Sequence, residues 1–204
     1  AAIRAQAEVA VAHPDPALAA ETLRAIADEA VRLSVLLDDL LVLARADAGE
    51  RPVAVPVDLV AAAGAALARV RGDGPVVELV APTPASVAAS PSEVALVLDN
   101  LVANGRRHAF SIVRVVVLPA GRWVRLVVED DGQGIPEADR ERVFDRFTRL
   151  RPVAGGGSGL GLALVSALVR GRGGTATAGA TPSGGARIEV RWPTPQGAST
   201  TSPR

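Results

Sequence analysis

Four residue types are missing from this chain of 204 residues: cysteine, methionine, tyrosine and lysine. Without cysteine, the chain can form neither disulfides nor thiolate metal sites. Without lysine, all 22 basic residues are arginines; they balance 22 acidic residues and give a formal net charge of zero. A balanced charge offers no general attraction to the phosphate backbone, so we expect no nucleic-acid partner.

Long apolar runs are also missing. Although 49% of the residues are hydrophobic, no uninterrupted stretch approaches the roughly 18 residues that a membrane span needs. Arg4, Gln6 and Glu8 interrupt the N-terminal stretch, which is unlike a secretory signal peptide. We therefore expect a cytoplasmic chain with one substantial core, an appendage and no membrane segment.

Glycine is abundant, and two motifs that contain it indicate a nucleotide site. In the first, a strand-like run ends at Asp130 and continues through Gly132 and Gly134, so that a carboxylate can accept a hydrogen bond from the adenine amine. The second, residues 155–162 (GGGSGLGL), opens into an apolar helix, and such loops hold phosphates through backbone N–H groups. Either motif alone is weak, but their order and spacing favour a nucleotide site.

A helix is predicted upstream of these motifs. Residues 90–93 (SPSE) form a capping box with proline at the first helical position, so the helix should begin at Pro91 and continue to His108. Helical spacing predicts that its core-facing side chains are Val94, Val97, Leu98 and Leu101.

A polar stripe runs along the same helix. Asn100, Asn104 and Arg107 recur at i, i+4 and i+7, so they share one face. Two amides and a guanidinium suit a magnesium ion and the phosphates that it carries. A solvated polar face is the simpler interpretation of the stripe alone; the neighbouring glycine motifs favour binding.

Together these motifs resemble the boxes of bacterial sensor histidine kinases. Residues 100–108 (NLVANGRRH) resemble the N box, 130–134 (DDGQG) the G1 box, 144–147 (FDRF) the F box and 157–162 (GSGLGL) the G2 box, in the family's order. The resemblance extends over nearly the whole chain. It implies a two-component kinase that binds Mg-ATP, transfers the γ-phosphoryl group to a histidine on a dimeric helical hairpin, and passes it to an aspartate of a response regulator receiver domain.

The implied fold class is α+β: a two-layer α/β sandwich of the Bergerat type, preceded by an antiparallel helical hairpin that dimerises into a four-helix bundle. The expected domains are the truncated hairpin (1–47), a linker (48–57), the ATP-binding catalytic domain (58–192) and a disordered tail (193–204). The full-length protein is expected to be anchored in the plasma membrane.

The resemblance also implies roles for individual residues. Asn104 would coordinate magnesium and Arg107 would contact phosphate oxygens, which makes these two the catalytic residues. Asn100 would support the phosphates. Asp130 would bind adenine, and His108 would pack near the nucleotide. The other expected cofactor-binding residues lie in or next to the G1, F and G2 boxes: Gly132, Gly134, Ile135, Phe147, Gly157, Gly159, Leu160, Gly161 and Leu162.

The chain departs from the family pattern at three places. Gly105 stands where the family usually has alanine, at a cost of about 1 kcal/mol of helix propensity. The connection from His108 to the strand beginning at Val113 is shorter than usual. Ala186 occupies a place where many relatives carry a hydroxyl near the adenine. None of these changes removes a residue that ATP binding requires.

Residues 1–47 read as helix with one turn at 13–16. After the turn, a heptad seam consists of Leu23, Ile26, Ala30, Leu33, Leu37, Leu40 and Ala44. Leu36 and Leu43 widen the stripe, which fits a four-helix bundle made by two hairpins, although a single surface helix packed on its own domain is the alternative.

Further elements are predicted in the catalytic domain. Asp58 should cap a helix that continues to Arg71, and the end of the domain should form a strand with clean alternation at 186–192. Phe144 and Phe147 should lie on a lid helix, where core packing and a direct role in signalling are both open. The remaining strands are expected at 76–80, 86–89, 113–118 and 123–129.

The hairpin is lopsided, because its second helix has about 30 residues (roughly 45 Å) and its first only about 12 (roughly 18 Å). Residues 1–4 resemble the family's sequence just downstream of the box that carries the phosphorylated histidine. We therefore expect the acceptor to precede this chain. His13 adjoins Pro14 at the hairpin turn, the wrong end for an acceptor, and His108 is expected to be a nucleotide-pocket residue.

Two other classes of function remain open from the sequence. One is a different enzyme on the same ATP-binding fold, such as an anti-sigma serine kinase or a gyrase-type ATPase. The other is a dimerising scaffold that binds nucleotide without catalysis. The heptad helix and the F box weigh against the first, and intact Asn104, Asp130 and glycine loops weigh against the second.

Overall fold

The computed structural model of the protein describes residues 16–150 and 157–195. The chain forms two compact units that divide between Val42 and Leu43. Helix α1 (Pro16–Asp47) accounts for the described part of the first unit and ends in the second. His13 and the predicted tail beyond residue 195 lie outside the described residues.

Helix α1 confirms the helix that was predicted to follow the turn at 13–16. Three leucines of the heptad seam, Leu23, Leu33 and Leu37, are 66%, 52% and 59% exposed. A row of large aliphatic side chains left in water along one helical face is typical of a surface that packs on other helices.

The described part of the second unit contains three further helices and seven strands. The helices are α2 (Leu59–Arg69), α3 (Pro91–His108) and α4 (Gly161–Gly171), and short 3-10 turns cover Glu137–Asp139 and Arg142–Phe144. The strands are β1 (Val55–Asp58), β2 (Val76–Val80), β3 (Ser86–Ala89), β4 (Ile112–Ala120), β5 (Trp123–Asp130), β6 (Thr175–Ala180) and β7 (Ala186–Pro193). Within the residues that the structure describes, no helix is both long enough and apolar enough to cross a membrane.

A five-stranded sheet in the order β2-β4-β5-β7-β6 packs against the helices. Strands β2 and β4 are parallel, and the other neighbours are antiparallel. Strands β1 and β3 form a separate two-stranded antiparallel ladder. This arrangement confirms the predicted α+β fold with a helical layer on a sheet.

Alternation along β4 and β7, interrupted in β5 by the buried Val127, separates a buried face from the face that carries the charged side chains of the sheet. The buried face consists of Val113, Val115, Val117, Val124, Leu126, Val128, Ile188, Val190 and Trp192. Since successive side chains of a strand point to opposite faces, Asp130 continues the buried side of β5 two residues after Val128. Strand geometry therefore brings a carboxylate to the core side of the sheet.

The predicted capping box at the start of α3 is confirmed. Ser90 Oγ accepts a hydrogen bond from the Glu93 N–H at 3.2 Å, and Glu93 Oε2 accepts one from the Ser90 N–H at 2.9 Å. The same carboxylate pairs with Arg172 at 2.7 Å, and Arg172 also donates to the Pro52 carbonyl at 2.5 Å. The predicted core face is at most 1% exposed at Val94, Val97, Leu98 and Leu101.

Gly105 is explained by the close approach of α3 to the sheet. A Cβ atom on this residue would lie 2.8 Å from Val113 Cγ1 and 3.5 Å from Val128 Cγ1. The first distance is too short for two carbons. Glycine therefore lowers the helix propensity at this position but avoids a clash that alanine would cause.

Two strands were not predicted. Strand β1 begins inside the predicted linker and pairs with β3. Its last residue, Asp58, also caps α2. The Asp58 carboxylate accepts hydrogen bonds from the backbone N–H groups of Val60 at 2.9 Å and Ala61 at 3.0 Å. Helix α2 ends at Arg69, earlier than the predicted Arg71. Strand β6 (TATAGA) is an edge strand whose small residues carry little hydrophobic alternation.

The predicted lid helix over residues 141–148 is wrong. Only Arg142–Phe144 forms a 3-10 turn, and Phe147 has a positive φ of 62°, which a right-handed helix does not allow. The Phe147 N–H donates instead to the Gly159 carbonyl at 2.9 Å, so this segment is tied to the glycine-rich loop. Phe147 is 63% exposed, which excludes core packing for this ring.

We expect acid to destabilise the polar face of the sheet through Glu189. Its hydrogen bonds from Arg125 lower the pKa of this carboxyl from 4.5 to about 2, with Arg191 adding to the effect. A pKa depressed on folding adds stability above the ordinary value, and that stability is lost as the pH falls from about 4.5 through about 2.

Urea unfolding at pH 7 and pH 3 checks this expectation. Glu189→Gln should lower the free energy of unfolding at pH 7 and reduce its loss on acidification. Glu78→Gln is the control, because Glu78 is half exposed and lies 3.9 Å from Arg114. An equal acid response in the wild type and Glu189→Gln would contradict the expectation.

Candidate functional site

A cavity of about 730 Å³ lies between the C-terminal end of α3, the loop after β5 and the glycine-rich segment before α4. The predicted site residues that line it are Asn104, Arg107, His108, Asp130, Gly134, Ile135, Gly157, Gly159 and Leu162. The predicted residues that do not line it are Asn100, Gly132, Phe147, Leu160 and Gly161. The N, G1 and G2 motifs therefore meet at one place in the fold.

Asp130 is the buried acid of this cavity, with 7% of its surface exposed. Its Oδ1 accepts hydrogen bonds from the backbone N–H groups of Gly132 at 3.0 Å and Ala186 at 3.1 Å. Both donors reach Oδ1, and among the described residues no donor to Oδ2 is found, so that oxygen is available to water or a ligand in the cavity. Burial raises the pKa of Asp130, while the two backbone donors and His108 oppose the rise.

Gly132 and Gly134 are required by the close packing of the loop that follows Asp130. A Cβ on Gly132 would lie 2.0 Å from the His108 carbonyl oxygen, and a Cβ on Gly134 would lie 2.3 Å from the Gly184 carbonyl oxygen. Gly134 also has a φ of 70°, which favours glycine. Gly132 thus allows the loop to pack closely against the His108 carbonyl and does not itself line the cavity.

Asn100 contacts α4 instead of the cavity. Its side-chain N–H donates to the Leu96 carbonyl at 2.9 Å, and its Oδ1 lies 2.6 Å from where a Cβ on Gly161 would be. Leu160, next to Gly161, is fully buried. These three residues hold the start of α4 against α3, one helical turn away from Asn104.

Two arginines give the cavity a positive end. The Arg107 guanidinium lies 2.9 Å from where a Cβ on Gly157 would be, so the glycine leaves room for it. Partial burial and the nearby charge of Arg149 lower the pKa of Arg107, and neither arginine has an acidic partner among the described residues. Two guanidinium groups without an ion-pair partner among the described residues favour an anionic ligand at this end of the cavity.

Arg149 was not identified from the sequence. It follows the F box by two residues and precedes the segment 151–156, which the structure does not describe. It lies on no periodic element, so no sequence pattern distinguishes it from other exposed arginines.

His108 lies beside the acid of the cavity. Burial and the charge of Arg107 lower its pKa, and Asp130 opposes the shift. The neutral imidazole is therefore favoured near pH 7, where it can pack on an aromatic or polar ligand without adding charge.

Asp131 was also missed by the sequence analysis. Its carboxylate accepts hydrogen bonds from the backbone N–H groups of Phe110 at 2.8 Å, Ser111 at 3.0 Å and Ile112 at 3.2 Å, and from the Ser111 hydroxyl at 2.5 Å. The Ser111 donors hold the pKa of this carboxyl well below its usual range. Asp131 thus fixes the short connection between α3 and β4 at the mouth of the cavity.

The residues of the cavity fit a magnesium–nucleotide complex. Magnesium takes oxygen ligands and is usually bound by one or two protein groups together with substrate phosphates. Within the described residues, no cluster of three or more histidine or acidic side chains could hold a metal alone. The Asn104 amide is an oxygen donor in the same cavity as the arginines, so such an ion would depend on the phosphates.

Comparison with known families agrees with this geometry. Residues 89–196, more than half of the chain, match the family described as Histidine kinase-, DNA gyrase B-, and HSP90-like ATPase. This class of ATP-binding domain accounts for the sheet, the helical layer and the glycine-rich loops.

Curated proteins of similar sequence indicate a narrower family within this class of ATP-binding domains. The chain is 34% identical over 168 residues to the sensor-type histidine kinase PrrB of Mycobacterium bovis, and 36% identical over 187 residues to the probable sensor histidine kinase TcrY of Mycobacterium tuberculosis. These alignments cover 80% and 88% of this chain. The protein belongs to the bacterial two-component sensor histidine kinases.

Solved structures support the same conclusion. The mycobacterial sensor histidine kinase MprB matches 70% of this chain and 98% of its own, with 30% identity and a TM-score of 0.62. The ATP-binding domain of PrrB from M. tuberculosis matches 71% of this chain and 99% of its own, with 32% identity and a TM-score of 0.59. The chain spans only 37% and 39% of the lengths of the curated relatives PrrB and TcrY.

Proposed function

We propose that this chain is the catalytic and partial dimerisation portion of a histidine autokinase. It binds Mg-ATP, and its ATP domain transfers the γ-phosphoryl group to a histidine on the helical hairpin, for relay to an aspartate of a response regulator. In this proposal residues 1–47 belong to the hairpin, 48–57 connect it, 58–192 form the ATP domain, and 193–204 are a tail.

The observation that carries the proposal is the fixed, half-satisfied carboxylate of Asp130. Two backbone donors hold Oδ1, and Oδ2 is left to accept a hydrogen bond from the exocyclic amine of adenine. An ionised carboxylate oxygen that lines a cavity and is not used by the protein is an acceptor, so the arrangement suits a ligand that brings a donor.

The other polar groups of the cavity fit the triphosphate. Arg107 and Arg149 would balance the charge of the phosphates, and Asn104 would supply an oxygen to magnesium. The bound ion would neutralise charge on the transferred phosphoryl group. Gly157 and Gly159 would let the main chain approach the phosphates closely.

Dimerisation is supported by the exposed apolar face of α1. The leucines of the seam repeat at heptad spacing and are exposed in the single chain, so a second hairpin would bury them. Such a dimer would present the acceptor histidine of the bundle to the ATP domain.

We propose that neither histidine of this chain is the acceptor. His108 lies in the wall of the cavity, where a nucleotide would cover it, and its lowered pKa suits a packing role. His13 adjoins Pro14 at the predicted hairpin turn. The acceptor would then lie on a hairpin segment that carries the phosphorylation box.

Radiolabelled ATP with detection of acid-labile phosphate tests the proposal. The purified chain should bind Mg-ATP and form no phosphohistidine on itself, and it should label a supplied hairpin that carries the phosphorylation box. A hairpin with that histidine changed to glutamine is the control. Stable label on His13 or His108 would contradict the assignment, and ATP binding with no transfer to any hairpin would favour a nucleotide-binding scaffold.

A further inference from the structure

Phe110 is a large apolar side chain that lines the cavity and is nevertheless 69% exposed. It lies in the three-residue connection between the end of α3 at His108 and the start of β4 at Ile112. The ring therefore lies at the mouth of the cavity, where it is open to solvent. None of the four sequence boxes includes it.

An isolated exposed apolar side chain is common on protein surfaces and needs no explanation. Phe110 differs because its main chain is anchored: the Asp131 carboxylate accepts its N–H at 2.8 Å and also holds Ser111 and Ile112. A ring on a fixed backbone loses little conformational freedom when a ligand covers it, so more of the contact energy appears as affinity.

The anchor also defines which end of the cavity Phe110 occupies. Asp131 follows Asp130 directly, and Gly132 packs against the His108 carbonyl, so the connection lies beside the buried acid. The guanidinium of Arg107 lies against Gly157, in the glycine-rich segment before α4. Phe110 therefore borders the end where a base would bind, away from the end suited to phosphates.

We propose that Phe110 is a base-contacting residue, whose ring packs on the adenine or ribose of the bound nucleotide and covers the end of the site that contains Asp130. This inference rests on the proposed ATP function. The ring would bury its own apolar surface and would exclude water from the hydrogen bond that Asp130 accepts, which strengthens that bond.

Calorimetry with Mg-ATP, Mg-ADP and inorganic tripolyphosphate tests the proposal. Since the stacking of a base on an aromatic ring contributes about 1–3 kcal/mol, Phe110→Ala should weaken ATP and ADP to a similar extent, by about tenfold or more. Tripolyphosphate has no base, so its affinity should be unchanged. Phe110→Leu should bind ATP with intermediate affinity, and Phe110→Trp should restore most of it.

The Phe110→Trp variant also provides a spectroscopic readout. Its emission should change on addition of adenosine alone and stay constant with tripolyphosphate, whereas the wild type, with only Trp123 and Trp192, supplies the background. Val76→Ala is the matched surface control, because Val76 is 61% exposed on the edge strand β2 and does not line the cavity.

The outcomes separate this inference from the function on which it rests. If the wild type binds ATP and Phe110→Ala binds it equally well, the role of Phe110 is wrong and ATP binding stands. Equal weakening of ATP and tripolyphosphate would mean that the ring acts only through the fold of the connection, which also overturns the proposal. If the wild type binds neither ligand, both proposals fail.

Discussion

Replacement of Asn104 by alanine is expected to lower phosphoryl transfer by about 100- to 1000-fold in a complete kinase, the usual cost of losing one preorganised group at a developing charge. Asn104 lines the cavity on α3, where its amide oxygen would bind the magnesium ion on the phosphates. Phosphoryl transfer depends on positioning and charge neutralisation, and both depend on that ion. The affinity for adenosine should change less than about threefold, because the proposed site of the base lies at Asp130 and not at Asn104.

Single-turnover transfer of radiolabelled phosphate and calorimetry with adenosine give the two quantities. Asp99→Ala is the matched control, since Asp99 is an exposed residue of the same helix that pairs with Arg69 outside this cavity. Normal transfer by Asn104→Ala would show that the magnesium role is wrong. A parallel loss of adenosine binding would show that the residue supports the base site instead.

Replacement of Asp130 by alanine is expected to weaken ATP by about ten- to a hundredfold, because a hydrogen bond to a charged group contributes about 1.5–3 kcal/mol. The wild type should prefer ATP over GTP, since guanine presents a carbonyl oxygen where adenine presents its amine, and a carboxylate repels it. Calorimetry with both nucleotides measures the preference. Equal affinities for ATP and GTP would contradict the assignment of Asp130 as the adenine-binding residue.

The protonation of Asp130 supplies an independent check. Burial raises its pKa, and a protonated carboxyl loses the charge that would strengthen the proposed bond to adenine. The affinity for adenosine should therefore be complete well above the raised pKa and should fall as the pH decreases through it. Asp130→Asn should remove this pH dependence, and Asp73→Ala, an exposed acid in the turn before β2, should retain it.

Much of the fold could be predicted because local signals agree with tertiary packing. The capping box at Ser90 defines the start of α3, and helical spacing identifies its buried face. The alternating run at 186–192 has the periodicity of a half-buried strand and forms β7. In these segments, short-range chemistry and the core require the same structure.

The missed elements depend on partners that are distant in the chain. Strand β1 is only four residues long and contains Pro56, so its own sequence does not indicate a strand. Pairing with β3 stabilises its extended conformation. The segment around Phe147 has apolar spacing that suits a helix, yet the bond from its N–H to Gly159 imposes a left-handed residue there. A contact made across the fold overrides local propensity.

The residues of the candidate site also include some that the sequence predicts and some that it does not. Asp130, Asn104, Gly134, Gly157 and Gly159 belong to motifs, and the order of these motifs predicts that they meet at one cavity. Arg149 and Phe110 reach the cavity through loop geometry, and Asp131 acts by accepting main-chain donors of another loop. Such contributions depend on the path of the backbone, which no residue pattern in the chain specifies.

The contact of Gly105 with Val113 has an evolutionary consequence. Because one methyl group on the helix would meet the valine at 2.8 Å, the two positions cannot vary independently. A lineage that gains alanine at position 105 must first, or soon after, accept a smaller residue at position 113 or a wider separation of helix and strand. Gly105→Ala is therefore expected to be tolerated better together with a smaller residue at position 113 than alone.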